Sequence, residues 1–100
     1  MPDIYRIRFS EAASIDLEGI FDFIRQDSPQ NAAAVIRGLL SAIDSLEILP
    51  HRYPVLEDSL RLLGRELRSM PVPPFKVRYH VDDLGLAVIV VGVRHGARNE

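Results

Sequence analysis

The run from Leu86 to Val93 most constrains how this chain can fold, because its side chains are apolar or small on both alternating faces: Leu-Ala-Val-Ile-Val-Val-Gly-Val. A strand of this kind has to be covered on both sides. The pattern therefore predicts that Leu86–Arg94 is a central strand of a sheet. Gly92, inside this strand, predicts either a close backbone approach or a β-bulge.

The segment just before it, Phe75–Val81, shows the period of two that is typical of a half-buried strand. Its apolar residues face one way and its basic residues face the other: Phe75, Val77, Tyr79 and Val81 against Lys76, Arg78 and His80. Because Tyr79 alternates with Phe75 and Val77, we expect it to be a core residue and not a catalytic one.

The N-terminal half predicts one strand followed by two helices. Ile4–Phe9 alternates as a strand, and Ser10 is a suitable N-cap for a helix over about Glu11–Gln26, whose apolar residues recur every three or four positions. Ser28 and the proline after it start a second helix, Pro29–Leu49, which Pro50 ends. So short a turn between the helices favours an antiparallel helical hairpin.

Residues 50–63 are predicted to form a loop, with a short helical turn around Leu60–Leu63. Beyond it, Arg65–Met70 is the candidate second strand, and short turns then connect it to the two strands described above. The sequence therefore predicts a single α+β domain over residues 1–100. Its element order is β-α-α-β-β-β, and the N-terminal helical hairpin packs on a mainly antiparallel sheet.

Composition excludes several classes of protein. Of the 100 residues, 47% are apolar, which is enough for a modest core, and the absence of cysteine removes disulfides and thiolate chemistry. The three histidines lie far apart, and no residue pair has familiar ligand spacing, so we expect no metal or other cofactor. No apolar run reaches about 18 residues, and no signal-peptide pattern follows Met1, so the sequence predicts a cytoplasmic protein that does not enter a membrane.

Charge is distributed unevenly along the chain. Residues 1–60 contain ten acidic and five basic residues, a net charge of −5, whereas residues 61–100 contain four and seven, a net charge of +3. The excess of cations predicts that the C-terminal third meets a nucleic acid or an acidic protein segment. The alternative is a solvated strand face without a partner.

The cations of this region form the candidate binding set: Arg65, Arg68, Lys76, Arg78, Arg94, His95 and Arg98. Such a set can bind phosphates, and it can stabilise the charge that develops in RNA cleavage while a histidine transfers a proton. The net charge of −2 argues against non-specific nucleic-acid binding, which depends on a clear positive charge.

Several short motifs follow one another in a characteristic order: Phe9-Ser-Glu-Ala12, Ser28-Pro29, Leu46 to Pro50, Gly64-Arg-Glu-Leu-Arg68, Tyr79 with Val81-Asp82, and Val93-Arg-His-Gly-Ala-Arg98. With this order over nearly its whole length, the chain resembles the RelE/ParE superfamily of toxins from type II toxin–antitoxin modules, which include plasmid-stabilisation systems. The resemblance implies the RelE/ParE-like fold.

Within the superfamily, the chain looks more like the ParE branch, whose members poison DNA gyrase and so inhibit growth, than like the RelE branch of ribosome-dependent messenger-RNA endonucleases. On the RelE pattern, Lys76 and Arg94 would hold the phosphate and His95 would transfer a proton. Gly64 and Glu66 stand where that pattern has a pair of lysines, which argues against RNA cleavage. The long helical hairpin and the His95-Gly-Ala-Arg98 motif near the end look like ParE.

The resemblance also implies partners. A ParE-like toxin would bind DNA gyrase, a RelE-like one the ribosome and its messenger RNA, and an inactive relative would bind only its antitoxin. The cognate antitoxin would lay a segment across exposed apolar grooves and a free sheet edge. We expect that groove near Ile15, Phe23 or Leu40, although these three residues are equally compatible with a core.

Overall fold

A computed structural model describes residues 2–96 of the chain. The elements are β1 (Arg6–Phe9), α1 (Glu11–Arg25), α2 (Pro29–Asp44), α3 (Ser59–Leu63), β2 (Arg68–Val72), β3 (Phe75–Asp82) and β4 (Ala87–His95). The predicted α+β class and the order of the main elements are confirmed. The helical turn expected near residue 60 is α3.

The two long helices begin where their caps predict. The Ser10 hydroxyl accepts a hydrogen bond from the Ala13 amide at 3.1 Å, and the Ser28 hydroxyl accepts one from the Asn31 amide at the same distance. These bonds satisfy amides that the first turn of a helix leaves without a partner. Only residues 26–28 separate α1 from α2, and the two helices pack against each other.

The prediction that the second helix reaches Leu49 is wrong. α2 ends at Asp44, and two 3-10 turns, Ser45–Glu47 and Pro50–Arg52, follow it. Ile48 is extended and forms an isolated bridge with Ile4, and Leu49 has a left-handed backbone, with φ of 52°. The same bridge explains why β1 begins at Arg6 and not at Ile4.

The four strands form one mixed sheet in the order β1-β4-β3-β2. β4 is central, as its sequence predicts, and it runs parallel to β1 and antiparallel to β3. Arg78 pairs with Gly92, whereas the next residue, Tyr79, pairs with Val90, so Val91 is an extra residue in β4. This β-bulge reverses which face of the sheet the following residues of β4 occupy.

The second strand begins later than predicted, at Arg68 and not at Arg65. Gly64 ends α3 with a positive φ of 79°, and the Ser59 hydroxyl accepts a hydrogen bond from the Leu67 amide at 3.0 Å. These contacts keep residues 64–67 outside the sheet. The strand continues through Pro71, which is tolerated because β2 is an edge strand.

The core lies between the sheet and the helical pair. Its buried residues come from both long helices, from the segment that follows α2, and from all four strands or their immediate flanks. α1 also packs on β4. α3 lies beside Arg78, whose side of the sheet is the one opposite the core. No helix within residues 2–96 is long and apolar enough to cross a membrane.

Candidate functional site

One face of the sheet, opposite the core, gathers part of the predicted cationic set. Lys76, Arg78 and His80 lie on this face of β3, and Arg94 lies beside Lys76 as its cross-strand partner on β4. Lys76 and Arg94 are exposed, and Arg78 and His80 are half-buried. We call these four residues the basic face.

The β-bulge at Val91 accounts for the position of Arg94. Val88 and Val90 point into the core, so uninterrupted alternation would also turn Arg94 towards the core side and leave His95 on the basic face. With the extra residue, Val93 points into the core and Arg94 pairs with Lys76. The bulge therefore places Arg94 on the basic face and His95 on the helix side, the reverse of what uninterrupted alternation would give.

His95 consequently lies on the helix side of the sheet, contrary to the expectation that all seven cations lie close together. It pairs with Phe75, and the two rings make an edge-to-face contact with centroids 5.6 Å apart. Phe75 is a core residue, so His95 and Lys76 belong to opposite faces. They cannot both touch one small substrate group on a single face.

Arg68 is also absent from the basic face. It pairs with the core residue Tyr79, and its Nη1 donates hydrogen bonds to the carbonyls of His51 at 3.0 Å and Tyr53 at 2.7 Å. These bonds fix the loop that precedes α3, which makes Arg68 a structural residue. Arg68 therefore lies apart from Lys76 and Arg78, and its part in binding stays a prediction.

Arg65 is exposed, but it lies in the connection before β2 and not on a strand as predicted. It lines a cavity of about 320 Å³ together with His80 and Arg68. The last predicted cation, Arg98, lies outside the described residues.

Two arginines of the N-terminal strand lie on the same side of the sheet as the basic face, and the sequence prediction did not include them. Arg8 pairs with Ile89 of β4, and Ile89 pairs with His80. Arg6 occupies the equivalent position two residues earlier, and both arginines are exposed. The alternation of β1 already separated them from Tyr5 and Ile7, but their neighbours follow only from the pairing of β1 with β4.

A polar cluster at the other end of β3 was also missed, because its members are far apart in sequence. The Tyr5 hydroxyl donates to Asp83 Oδ1 at 2.7 Å, and His51 Nε2 lies 3.0 Å from the same oxygen. The hydrogen bond from Tyr5, followed by the contact with His51, holds the pKa of Asp83 below its ordinary value. The cluster joins the residue before β1, the segment after α2 and the turn between β3 and β4.

A larger groove lies on the helix side, between α1 and the end of β4, with a volume of about 570 Å³. We call it the helical groove. Its walls include Ile15, Ile20 and Phe23 of α1. From the end of β4 they include His95 and also Arg94, so this residue of the basic face borders the groove as well. Ile15 and Phe23 are 60% and 74% exposed. Leu40, the third residue expected near such a groove, is not among its lining residues.

The part of β4 that extends beyond β1 lies beside this groove. β4 continues past the end of β1, and the Val93 amide donates to Asp16 Oδ2 of α1 at 2.9 Å.

Within the described part of the chain, no group of three histidine, cysteine or carboxylate residues is arranged to bind a metal ion.

The structure is similar to three toxin–antitoxin complexes. The chromosomal ParDE system of P. aeruginosa matches with a TM-score of 0.71 and 16% identity, covering 92% of this chain and 96% of the other. The RelE–RelB complex of Pyrococcus horikoshii OT3 matches with a TM-score of 0.66 and 18% identity, covering 96% and 99%. RelBE2 of Mycobacterium tuberculosis matches with a TM-score of 0.61 and 26% identity, covering 96% and 95%.

No curated protein matches the sequence. A family model does, over residues 7–100, and its description is the ParE toxin of the type II toxin–antitoxin system parDE. This match spans all seven elements apart from the first residue of β1. The chain therefore belongs to the ParE toxin family of type II toxin–antitoxin systems.

Proposed function

We propose that this ParE-family chain inhibits DNA gyrase, and so replication, by binding through the basic face, and that a cognate antitoxin neutralises it. The family match and the similarity to the ParDE system of P. aeruginosa support the ParE branch. Lys76 and Arg94 supply exposed positive charge on a strand surface that can dock against an acidic protein or DNA surface. Such a toxin acts in the cytoplasm, where its target is.

The observation that carries the proposal is the separation of Lys76 from His95. A ribonuclease of the RelE kind would need a phosphate-holding cation and a proton-transferring group close to the same phosphate. Here the register of β3 and β4 directs Lys76 and His95 to opposite faces. Gly64 and Glu66, which lie before β2, occupy the positions of the RelE lysine pair, so this chain has no lysine ammonium groups there.

The helical groove supports binding of an antitoxin segment. Exposed apolar side chains on a helix, next to a strand that extends beyond its neighbour, suit an amphipathic helix or an extended segment that becomes ordered on binding. Ile15 and Phe23 would be the anchors. The groove lies on the helix side of the sheet, but Arg94 also lines it, so an antitoxin segment there would reach Arg94. The rest of the basic face would stay uncovered unless the segment continues around the sheet.

The second candidate is a RelE-like messenger-RNA endonuclease that acts in the ribosome. The 26% identity to RelBE2 of Mycobacterium tuberculosis favours it, because this is higher than the identity to the ParDE system. In that case Lys76 and Arg94 would hold the phosphate, and His95 would have to reach it from the other face.

Two assays on one folded sample distinguish the candidates. We expect the purified toxin to inhibit supercoiling by gyrase and to increase trapped DNA breaks, and to leave message ends unchanged during translation in vitro. Cut message with unaffected gyrase would replace the proposal with the endonuclease. Antitoxin binding without either effect would identify an inactive member of the family.

A further inference from the structure

The short helix α3 presents its leucines to solvent. Leu60, Leu62 and Leu63 are 58%, 67% and 60% exposed, within one helix of five residues. Single exposed leucines are common on protein surfaces, but adjacent ones on one turn form a patch that marks an interaction site. Neither the basic face nor the helical groove includes these leucines.

A pocket of about 460 Å³ lies between α3 and β3. We call it the leucine pocket. Its walls are mainly apolar, and they are formed by Leu56, Glu57, Ser59, Leu62, Leu63, Leu67 and Arg78. No aromatic residue lines it, so it offers no surface on which a nucleic-acid base could stack. The lining suits the apolar side chains of a peptide.

Arg78 gives the leucine pocket a specific polar requirement. Its Nε is buried and has no hydrogen-bond partner among the described residues, and that includes Glu57, which lines the same pocket. A buried donor without an acceptor is costly, and such a group in a folded protein calls for an explanation. Since the guanidinium is charged, a carboxylate is its strongest acceptor.

We propose that the leucine pocket binds a peptide segment of a partner protein, in which an acidic side chain pairs with Arg78 and neighbouring apolar side chains cover Leu62 and Leu63. The pocket opens on the side of the sheet opposite the helical groove. The toxin therefore has a further docking surface, which shares Arg78 with the basic face and can be occupied while the helical groove holds another segment. This inference does not depend on whether gyrase is the target.

The test uses a library of phage-displayed random heptapeptides. The library is first depleted on the Arg78→Ala variant and then selected on the wild-type protein, with circular dichroism confirming that both are folded. We expect the enriched peptides to combine Asp or Glu with apolar residues. Their affinity should fall at least tenfold in a Leu62→Ser/Leu63→Ser variant and should not change in Leu84→Ser, because Leu84 is a fully exposed leucine at a distant turn.

A second readout uses the unchanged wild-type protein. We expect the NMR signal of the Arg78 Nε–H group to shift when an enriched peptide is added, and to be unaffected by Glu57→Gln in the free protein. The proposal is overturned if no acidic sequence is enriched, if the peptides bind the Leu62→Ser/Leu63→Ser variant equally well, or if Glu57→Gln alone moves the Arg78 signal as far as the peptide does.

Discussion

At the scale of single residues, the loop after α2 is fixed by hydrogen-bond donors from elsewhere in the chain. The Tyr79 hydroxyl donates to the carbonyl of Pro50 at 2.6 Å, and Arg68 donates to the two carbonyls nearby. Arg52 donates to the carbonyls of Ile48 at 2.6 Å and Leu49 at 3.1 Å, which stabilises the left-handed backbone there. Residues Pro50–Arg52 form a 3-10 turn, and these bonds explain how that turn keeps His51 beside Asp83.

We expect Tyr79→Phe to lower the free energy of unfolding by about 1–3 kcal/mol at pH 7, because the buried Pro50 carbonyl loses its donor. Burial raises the pKa of Tyr79 to about 12. The unfolded tyrosine ionises near pH 10, so this contribution to stability is complete below pH 10 and is lost as the pH rises towards 12.

Urea unfolding at pH 7 and pH 11 measures both effects. The difference in stability between wild type and Tyr79→Phe should be smaller at pH 11. Tyr53→Phe is the matched control, because Tyr53 accepts the Arg68 hydrogen bond through its backbone and not through its ring hydroxyl. Equal stability of wild type and Tyr79→Phe at both pH values would show that the hydroxyl plays no part.

At the scale of elements, α1 both satisfies a backbone amide at the edge of the sheet and forms one wall of the helical groove. Asp16 satisfies the Val93 amide where β4 extends beyond β1, and the next turns of the helix form one wall of the helical groove. The strand edge is therefore partly protected, but apolar surface stays exposed beside it. That combination suits a protein whose partner arrives as a flexible segment.

We expect Ile15→Ser/Phe23→Ser to weaken binding of the cognate antitoxin at least tenfold, because burying a large apolar side chain contributes about 1.5–3 kcal/mol. Stability of the free toxin should change little, since both side chains are mostly exposed. Isothermal titration calorimetry measures the affinity, and Leu84→Ser is the control. Unchanged affinity in the double variant would place the antitoxin elsewhere.

The periodicity of apolar residues predicted most elements, because strands such as Phe75–Val81 and the first helix have one apolar and one polar face. The start of β2 could not be predicted, since it depends on the left-handed Gly64 and on the Ser59–Leu67 hydrogen bond. The candidate site was less predictable than the fold. Gly92 suggested a bulge, but only the paired register shows that Arg94 joins Lys76 while His95 turns away.

At the scale of the whole molecule, the sheet separates two surfaces with different chemistry. Lys76 and Arg94 lie on one side with Arg6 and Arg8 of β1, so positive charge extends across neighbouring strands in a protein of net charge −2. The helical groove lies on the helix side, and Arg94 at the end of β4 borders both surfaces. A segregated charge of this kind favours one docking direction for a partner.

The most direct test compares two variants in a gyrase supercoiling assay. We expect Lys76→Ala/Arg94→Ala to raise the toxin concentration needed for half-inhibition at least tenfold, because it removes charge from the basic face. His95→Gln should stay within about twofold of wild type, because His95 lies on the opposite side of the sheet. The opposite result would contradict this account: His95→Gln no longer inhibits gyrase, while Lys76→Ala/Arg94→Ala inhibits it as strongly as wild type. It would make His95 the functional group.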